Sequence, residues 1–286
     1  MKKIFKDNRI NYASTLNERF DDLCKRVISS LVLLPPTVLL IWIGGLAFEL
    51  GILVIASCML WEWGGLIAIP SDRYRTRLIL VVAMLACFLM ALVFCFSAGM
   101  VCALLSGSIF VIFAKNLRIV KLFWLGVAII ATIIPTLGIV WMRSHIEFGL
   151  ETVIYVITSV IATDIGAYAT GKIIGGPKLL PKVSPSKTWA GLAGGIAASM
   201  LIAAIFTIVL KDARGPALLP IAICITLVAQ IGDLLESSIK RHFNVKDSGT
   251  LIPGHGGVLD RVDGMMTVLP IITLAIWISG RSVLQW

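Results

Sequence analysis

Long runs of apolar residues, separated by short polar segments, dominate the chain from residue 28 onward. Several runs reach the ~20 residues that a helix needs to cross the ~30 Å hydrocarbon core of a bilayer. Because lipid offers the backbone no hydrogen-bond partner, such runs must be helical. The pattern predicts an all-α polytopic membrane protein with about nine transmembrane helices, of which the fourth is the least marked. The predicted helices are 28–46, 50–69, 78–96, 99–114, 122–142, 152–174, 189–210, 217–235 and 262–279.

The composition agrees with this class. Of the 286 residues, 58% are hydrophobic and 14% are charged, whereas a soluble domain averages about 45–50% and ~25%. The six cysteines show no CxxC spacing, so neither a zinc site nor a redox site is expected. The first apolar run is too long for a secretory signal and no A-x-A site follows it, which indicates an uncleaved first helix.

The basic residues sort by membrane side. An odd number of crossings puts the termini on opposite sides, and all but four of the 25 Lys and Arg residues then share the side of the N-terminus. Cytoplasmic loops carry such an excess, so we expect a cytoplasmic N-terminus and a C-terminus on the opposite side. The same bias, with attraction to anionic headgroups, explains the net charge of +9 without nucleic-acid binding. The four exceptions are Arg143, Lys211, Arg214 and Arg281.

The chain divides into three predicted regions. Residues 1–27 form a polar cytoplasmic arm, and 28–142 hold about five transmembrane helices. Residues 143–286 hold about four more helices and the loops that are rich in chemistry. We expect the active site in this last region, facing the cytoplasm.

Acidic residues inside apolar runs need an explanation, because placing an ionisable side chain there costs about 2.5–3.5 kcal/mol of insertion free energy. Glu49 belongs to a short outer turn, whereas Glu62, Asp164, Asp233 and Glu236 lie toward the cytoplasmic ends of their helices. Pairing with a neighbouring polar group is the simpler explanation, and for Glu62 both explanations stay open. Helical spacing places two sets on common faces: Asp164 with Tyr168 and Gly171, and Asp233 with Glu236 and Ser237.

The loop before the seventh predicted helix resembles an anion site. Ser184 followed by Pro185 predicts a helix start, with the serine as cap and the proline at the first helical position. A helix N-terminus attracts anions, and Lys187 adds a positive charge. Ser186 or Thr188 adds a hydroxyl. Simple capping with cytoplasmic lysines explains the same residues equally well.

The loop before the ninth predicted helix contains the run 253–257, Pro-Gly-His-Gly-Gly. Glycines allow turns in which successive N–H groups line an anion nest. Asp260 could instead be the N-cap of the ninth helix, with Asp263 in its first turn. Carboxylates, a nest and cations together indicate Mg²⁺ holding phosphates, in a membrane enzyme of phosphoryl or nucleotidyl transfer. The flanking charged residues are Lys240, Arg241, Lys246, Asp247 and Arg261.

Residues 237–263 carry the most specific motif. They read Ser237-x-Ile-Lys-Arg-x4-Lys-Asp-x-Gly-x2-Ile-Pro-x-His-Gly-Gly-x2-Asp-Arg-Val-Asp263. This run resembles, without a gap, the signature of the phosphatidate cytidylyltransferase (CDP-diacylglycerol synthase) family. Further resemblances are Trp61-Glu62, Asp164-x3-Tyr168-x2-Gly171, Ser184-Pro-x-Lys-Thr188 and Gly232-Asp233.

The resemblance implies Mg²⁺-dependent transfer of CMP from CTP to phosphatidate, giving CDP-diacylglycerol and pyrophosphate. It implies metal binding by Asp233 and Asp260, with K⁺ as a candidate second ion and Asp263 or Asp164 as alternative ligands. Asparagine at either metal position should abolish turnover and leave a folded protein. The implied catalytic residues are Asp233, Asp260, Lys240, Arg261 and Asp263. The implied substrate-binding residues are Ser184, Lys187, Ser237, Arg241, Lys246, His255, Gly256, Gly257 and Asp164.

Two alternatives remain. A CTP-dependent lipid kinase of the polyprenol or phytol type would need a base for its hydroxyl substrate, and a transporter of an anionic substrate would show repeated halves and ionisable groups near the midplane. The favoured hypothesis predicts a bacterial inner-membrane enzyme whose partners are CTP, phosphatidate, the bilayer and a second copy of itself in a homodimer, with no nucleic acid.

Overall fold

The structure, a computed structural model, describes residues 31–117, 120–181, 183–210, 215–254 and 256–286. In this part of the chain nine α-helices follow one another, with one short β-hairpin between the sixth and the seventh. The helices are α1 Leu31–Ile43, α2 Gly45–Ile67, α3 Arg73–Val93, α4 Phe96–Leu117, α5 Val120–His145, α6 Gly149–Ile173, α7 Trp189–Val209, α8 Gly215–His242 and α9 Leu259–Ser279. The strands are β1 Lys178–Leu180 and β2 Ser184–Thr188.

The predicted all-α membrane fold is confirmed. Helices α2 to α9 are long and apolar enough to cross a membrane, each over at least 20 residues, which at ~1.5 Å per residue is about 30 Å. The least marked predicted helix, 99–114, is a full-length helix, α4. The predicted arm 1–27 and the start of the first predicted helix lie outside the described residues.

Small residues let the helices of the C-terminal region approach closely. A Cβ added at Gly166 of α6 would lie 2.6 Å from the carbonyl oxygen of Gly194 on α7. One added at Gly232 of α8 would collide with the Thr267 side chain of α9. Membrane helices associate through such close contacts, because in lipid the hydrophobic effect does not bring two helices together. The ends of α6, α7, α8 and α9 are thereby held together.

Most helices extend beyond the hydropathy limits at one end or both, and in α8 and α9 the extension includes charged residues of the motif 237–263. Helix α8 continues to His242 rather than ending at residue 235, and α9 begins at Leu259 rather than residue 262. Hydropathy stops at the first charges, but Lys240 pairs with Glu236 one turn earlier on α8 and the helix continues. Asp260 lies in the first turn of α9, so its predicted N-cap position is wrong; the N-cap residue is Val258.

The helix start predicted at Ser184 and Pro185 is also wrong. Residues 184–188 form strand β2, which pairs antiparallel with β1 through Lys178 opposite Thr188. Helix α7 begins only at Trp189, and its N-cap is Thr188, whose Oγ1 accepts a hydrogen bond from the Gly191 N–H at 3.0 Å. The tertiary pairing of two strands has overridden a local capping signal.

Replacing Thr188 with Ala is expected to destabilise the protein by about 1 kcal/mol, the usual cost of losing an N-cap oxygen. Unfolding in detergent, followed by circular dichroism, measures it. Thr207→Ala is the matched control, because its hydroxyl donates to the Ala203 carbonyl within the same helix and caps nothing. Equal stability of the two variants would contradict the assignment.

Candidate functional site

A cavity of about 530 Å³ opens at one end of the bundle, where α6 and α8 end and α7 and α9 begin. We call this the site end. The hairpin β1–β2 adds the wall that precedes α7. The lining residues are Asp164, Ala167, Tyr168, Gly171, Lys172, Ser186, Lys187, Thr188, Gly191, Leu192, Gln230, Asp233, Asp260, Arg261 and Asp263.

Acidic side chains from three helices meet at this cavity. Asp164 comes from α6, Asp233 from α8, and Asp260 and Asp263 from the first turns of α9. One carboxylate oxygen each of Asp233, Glu236 and Asp263 lies within 4.8 Å of the others. Carboxylates this close repel one another unless a cation lies among them. Hard oxygen donors in this number suit a divalent ion such as Mg²⁺, so the donor set fits a metal.

Asp233 is approached by one residue from strand β2 and one from its own helix. Strand β2 carries Lys187 to the cavity, where its ammonium forms an ion pair with the Asp233 carboxylate. The Ser237 hydroxyl, one turn further along α8, lies 3.5 Å from the same carboxylate. The sequence predicted functional roles for all three residues but not this mutual contact. Lys187 thus brings positive charge to the position where a phosphate would meet the acids.

Lys240 lies between two helices. Its ammonium pairs with Glu236 on its own helix α8 and, at 2.9 Å, with Asp260 on α9. All three side chains are largely buried. The lysine offsets two buried negative charges, and removing one partner of such a cluster is costly. Arg261, the residue after Asp260 on α9, lines the cavity, whereas Lys240 is not among the lining residues.

Asp260 organises the loop that precedes α9. Its carboxylate accepts hydrogen bonds from the N–H groups of Ser248, at 3.0 Å, and Gly257, at 2.8 Å, besides the ion pair with Lys240. The Gly256 N–H donates to the Ile252 carbonyl. The N–H groups of these two glycines thus have acceptors in this structure, the Ile252 carbonyl of the loop and the Asp260 carboxylate of α9, and neither is open to an anion here. Their role in substrate binding stays a prediction. His255 lies outside the described residues.

Other predicted substrate-binding residues lie outside the lining just given. Arg241 and Lys246 are exposed, and an Arg241 Nη1 lies 3.4 Å from the Val245 carbonyl. Ser184 is buried at the start of β2, with its hydroxyl 3.4 Å from that of Ser186. Of these two serines only Ser186 contributes to the wall, as does Thr188 at the end of the same strand.

Sequence reasoning missed two polar residues of the cavity. Gln230 is buried on α8 and lies one turn before Asp233, and Lys172 follows Gly171 near the end of α6. Helical spacing from Asp233 was a signal that could have identified Gln230. In the sequence, Lys172 is one of the many basic residues that the positive-inside rule explains, and no motif marks it as a site residue. Its ammonium lies 5.6 Å from the centre of the Tyr168 ring.

Known proteins match this chain, some over most of its length and others over about half of it. The model of the cytidylyltransferase family matches residues 24–279. The phosphatidate cytidylyltransferase of Brucella suis is 33% identical over 258 residues, which cover 87% of this chain and 91% of that protein. The enzyme of the same name from Bacillus subtilis is 43% identical over 135 residues, 46% of this chain and 49% of its own. That from Staphylococcus aureus is 44% identical over 127 residues, 44% of this chain and 49% of its own. A chain matched over nearly its whole length in this way belongs to the cytidylyltransferase family.

Proposed function

We propose that the protein transfers CMP from CTP to phosphatidate, producing CDP-diacylglycerol and pyrophosphate. One observation carries the proposal: acids from α6, α8 and α9 share a cavity at the rim of a membrane bundle with Lys187 and Arg261. The curated relatives of this chain are named phosphatidate cytidylyltransferase. A lipid headgroup and a soluble nucleotide can both reach a site at such a rim.

The reaction is a substitution at the α-phosphorus of CTP. A phosphate oxygen of phosphatidate forms the new P–O bond, and the bond to the β-phosphate breaks to release pyrophosphate. The attacking phosphate is already ionised at neutral pH, so the protein needs no general base. Its task is to hold two anions in line and to offset the charge that develops on the leaving group. Lys187 and Arg261 supply positive charge at the cavity wall for this purpose.

Asp233 and Asp260 are the residues that we expect to hold the metal, with Asp263 or Asp164 as alternative ligands. The carboxylates of Glu236 and Asp263 lie close enough to that of Asp233 to share an ion with it. Magnesium typically takes one or two carboxylates together with substrate phosphates. When bound, it neutralises phosphate charge and orients the leaving group. The cavity has more carboxylates than one Mg²⁺ ordinarily takes, which leaves ligands for a second cation such as K⁺. Lys187, which pairs with Asp233, would then turn toward the substrate phosphates.

We infer that the site end faces the cytoplasm of a bacterial inner membrane, with the N-terminus on the same side. Lys172, Lys187, Lys240 and Arg261 all lie at this end, as the positive-inside rule requires of cytoplasmic segments. CTP is available only there. The homodimer remains a prediction, which light scattering of the detergent complex would test.

Purified protein in detergent, given CTP labelled at the α-phosphate and phosphatidate with Mg²⁺, is expected to form a labelled lipid and pyrophosphate. Diacylglycerol in place of phosphatidate is the control, since it offers a hydroxyl and no phosphate nucleophile. Formation of CDP with a lipid alcohol would favour the kinase. Substrate uptake into vesicles without turnover would favour the transporter.

A further inference from the structure

Glu62 is a buried carboxylate whose hydrogen-bond partners, among the described residues, lie in the loop before α9 and at the first residue of that helix. It lies near the end of α2, with 3% of its surface exposed. Its Oε1 accepts the Val258 N–H at 2.9 Å, and its Oε2 accepts the Leu259 N–H at 2.9 Å and the Ser248 hydroxyl at 3.1 Å. A carboxylate at a helix N-terminus compensates the unpaired N–H groups and the positive end of the helix dipole. Glu62 therefore caps α9 from a different helix.

The loop is shaped to receive this carboxylate. A Cβ added at Gly249 would lie 2.6 Å from Glu62 Oε1, and one added at Gly257 would lie 2.6 Å from Oε2. Any other residue at these positions would displace the carboxylate or the loop. The two glycines of the motif thus make room for a side chain from the N-terminal half of the protein.

Ser248 connects Glu62 to the candidate metal ligands. Its hydroxyl donates to Glu62, while its N–H donates to the Asp260 carboxylate. Gly257, which packs against Glu62, also donates its N–H to Asp260. Asp263 lies one turn further along α9. A shift of Glu62 would therefore move the loop and the first turn of α9, and with them both aspartates relative to Asp233.

The capping contact also removes a competing anion site. Free N–H groups at a helix N-terminus bind phosphate readily. Those of Val258 and Leu259 are held by Glu62, and that of Gly257 by Asp260. A substrate phosphate is thus directed to the cations of the cavity rather than to the start of α9.

We infer that Glu62 is a positioning residue for the metal site: through Ser248 and the start of α9 it sets where Asp260 and Asp263 lie relative to Asp233. This inference rests on the proposed function at one point only, the assignment of these aspartates as metal ligands. Glu62 itself is not among the residues that line the cavity, so its effect on the site is expected to pass through the loop and the start of α9.

The test is Glu62→Gln, which keeps the size of the side chain and loses the charge and one acceptor. Glu49→Gln is the matched control, because Glu49 lies on the same helix at the opposite end. Binding of Mn²⁺ to the protein without substrates is measured by electron paramagnetic resonance, and the Mg²⁺ requirement by activity. Glu62→Gln should weaken Mn²⁺ binding and raise the Mg²⁺ concentration for half-maximal activity by about tenfold or more, the usual effect of losing a group that orients metal ligands. The control should match the wild type.

Ser248→Ala removes one of the three hydrogen bonds that the described residues donate to Glu62. It should likewise weaken Mn²⁺ binding and raise the Mg²⁺ requirement, but by less. It keeps the inference testable if Glu62→Gln does not fold. Variants that bind Mn²⁺ like the wild type would overturn the inference. So would variants that give less folded protein but keep the wild-type Mg²⁺ requirement. A wild type that binds Mn²⁺ but forms no CDP-lipid would instead refute the proposed function and leave the positioning result standing.

Discussion

Replacing Asp233 with Asn is expected to lower CDP-lipid formation by about a hundredfold or more while the protein stays folded. The magnitude is that of losing one preorganised electrostatic group from an active site. The Asp233 side chain is 29% exposed and faces the cavity, where the carboxylates of Asp263 and Glu236 approach it. An amide cannot offset Lys187 or bind a divalent ion as a carboxylate does. Initial rates with labelled CTP measure the effect, and thermal unfolding in detergent checks the fold.

Asp72→Asn is the matched control for this experiment. Asp72 lies before α3, away from the cavity, and pairs with Lys121 of α5. The hydrogen bond from Lys121 holds the pKa of Asp72 below its ordinary value, but an exposed ion pair of this kind contributes little to stability. The control should keep wild-type rates. Near-normal activity of Asp233→Asn with Mg²⁺ would show that Asp233 is not a metal ligand.

Replacing Asp260 with Asn is expected to remove activity and also to destabilise the fold. This side chain is only 6% exposed, and it accepts two loop N–H groups besides the ammonium of Lys240. Breaking a buried ion pair by removing one partner costs about 3–5 kcal/mol. Asp260→Asn should therefore unfold at a lower temperature than Asp233→Asn. The two substitutions look equivalent in the sequence, and only the burial of Asp260 separates them.

The triple variant Asp260→Asn with Lys240→Met and Glu236→Gln distinguishes the structural from the catalytic part of this effect. Removing all three members of this charge cluster leaves none of its buried charges uncompensated, so part of the lost stability should return. Activity should not return, because the proposed metal ligand is still absent. An Asp260→Asn protein with wild-type stability would contradict the contacts described for this residue.

The membrane helices follow from the sequence because the cost of exposing backbone or charge to lipid acts residue by residue along the chain. The limits of α8 and α9 do not follow, because Lys240 is stabilised by Asp260, 20 residues later. A hydropathy profile reflects the charge of Lys240 but not the carboxylate of Asp260 that pairs with it. The start of α7 was predicted wrongly because it too depends on a contact with another segment. Residues 184–188 pair with strand β1, and this pairing decides their conformation.

Local composition and residue order were enough to predict the class of fold, the two loops that carry the chemistry and the family resemblance of residues 237–263. Which carboxylates face the cavity and which bind the loop depends on how the helices pack, and that became visible only in the folded chain. Glu62 is the clearest case, since it caps a helix 196 residues further along the chain. A carboxylate binds whatever donors the packing of helices brings to it, and that packing is a property of the whole bundle.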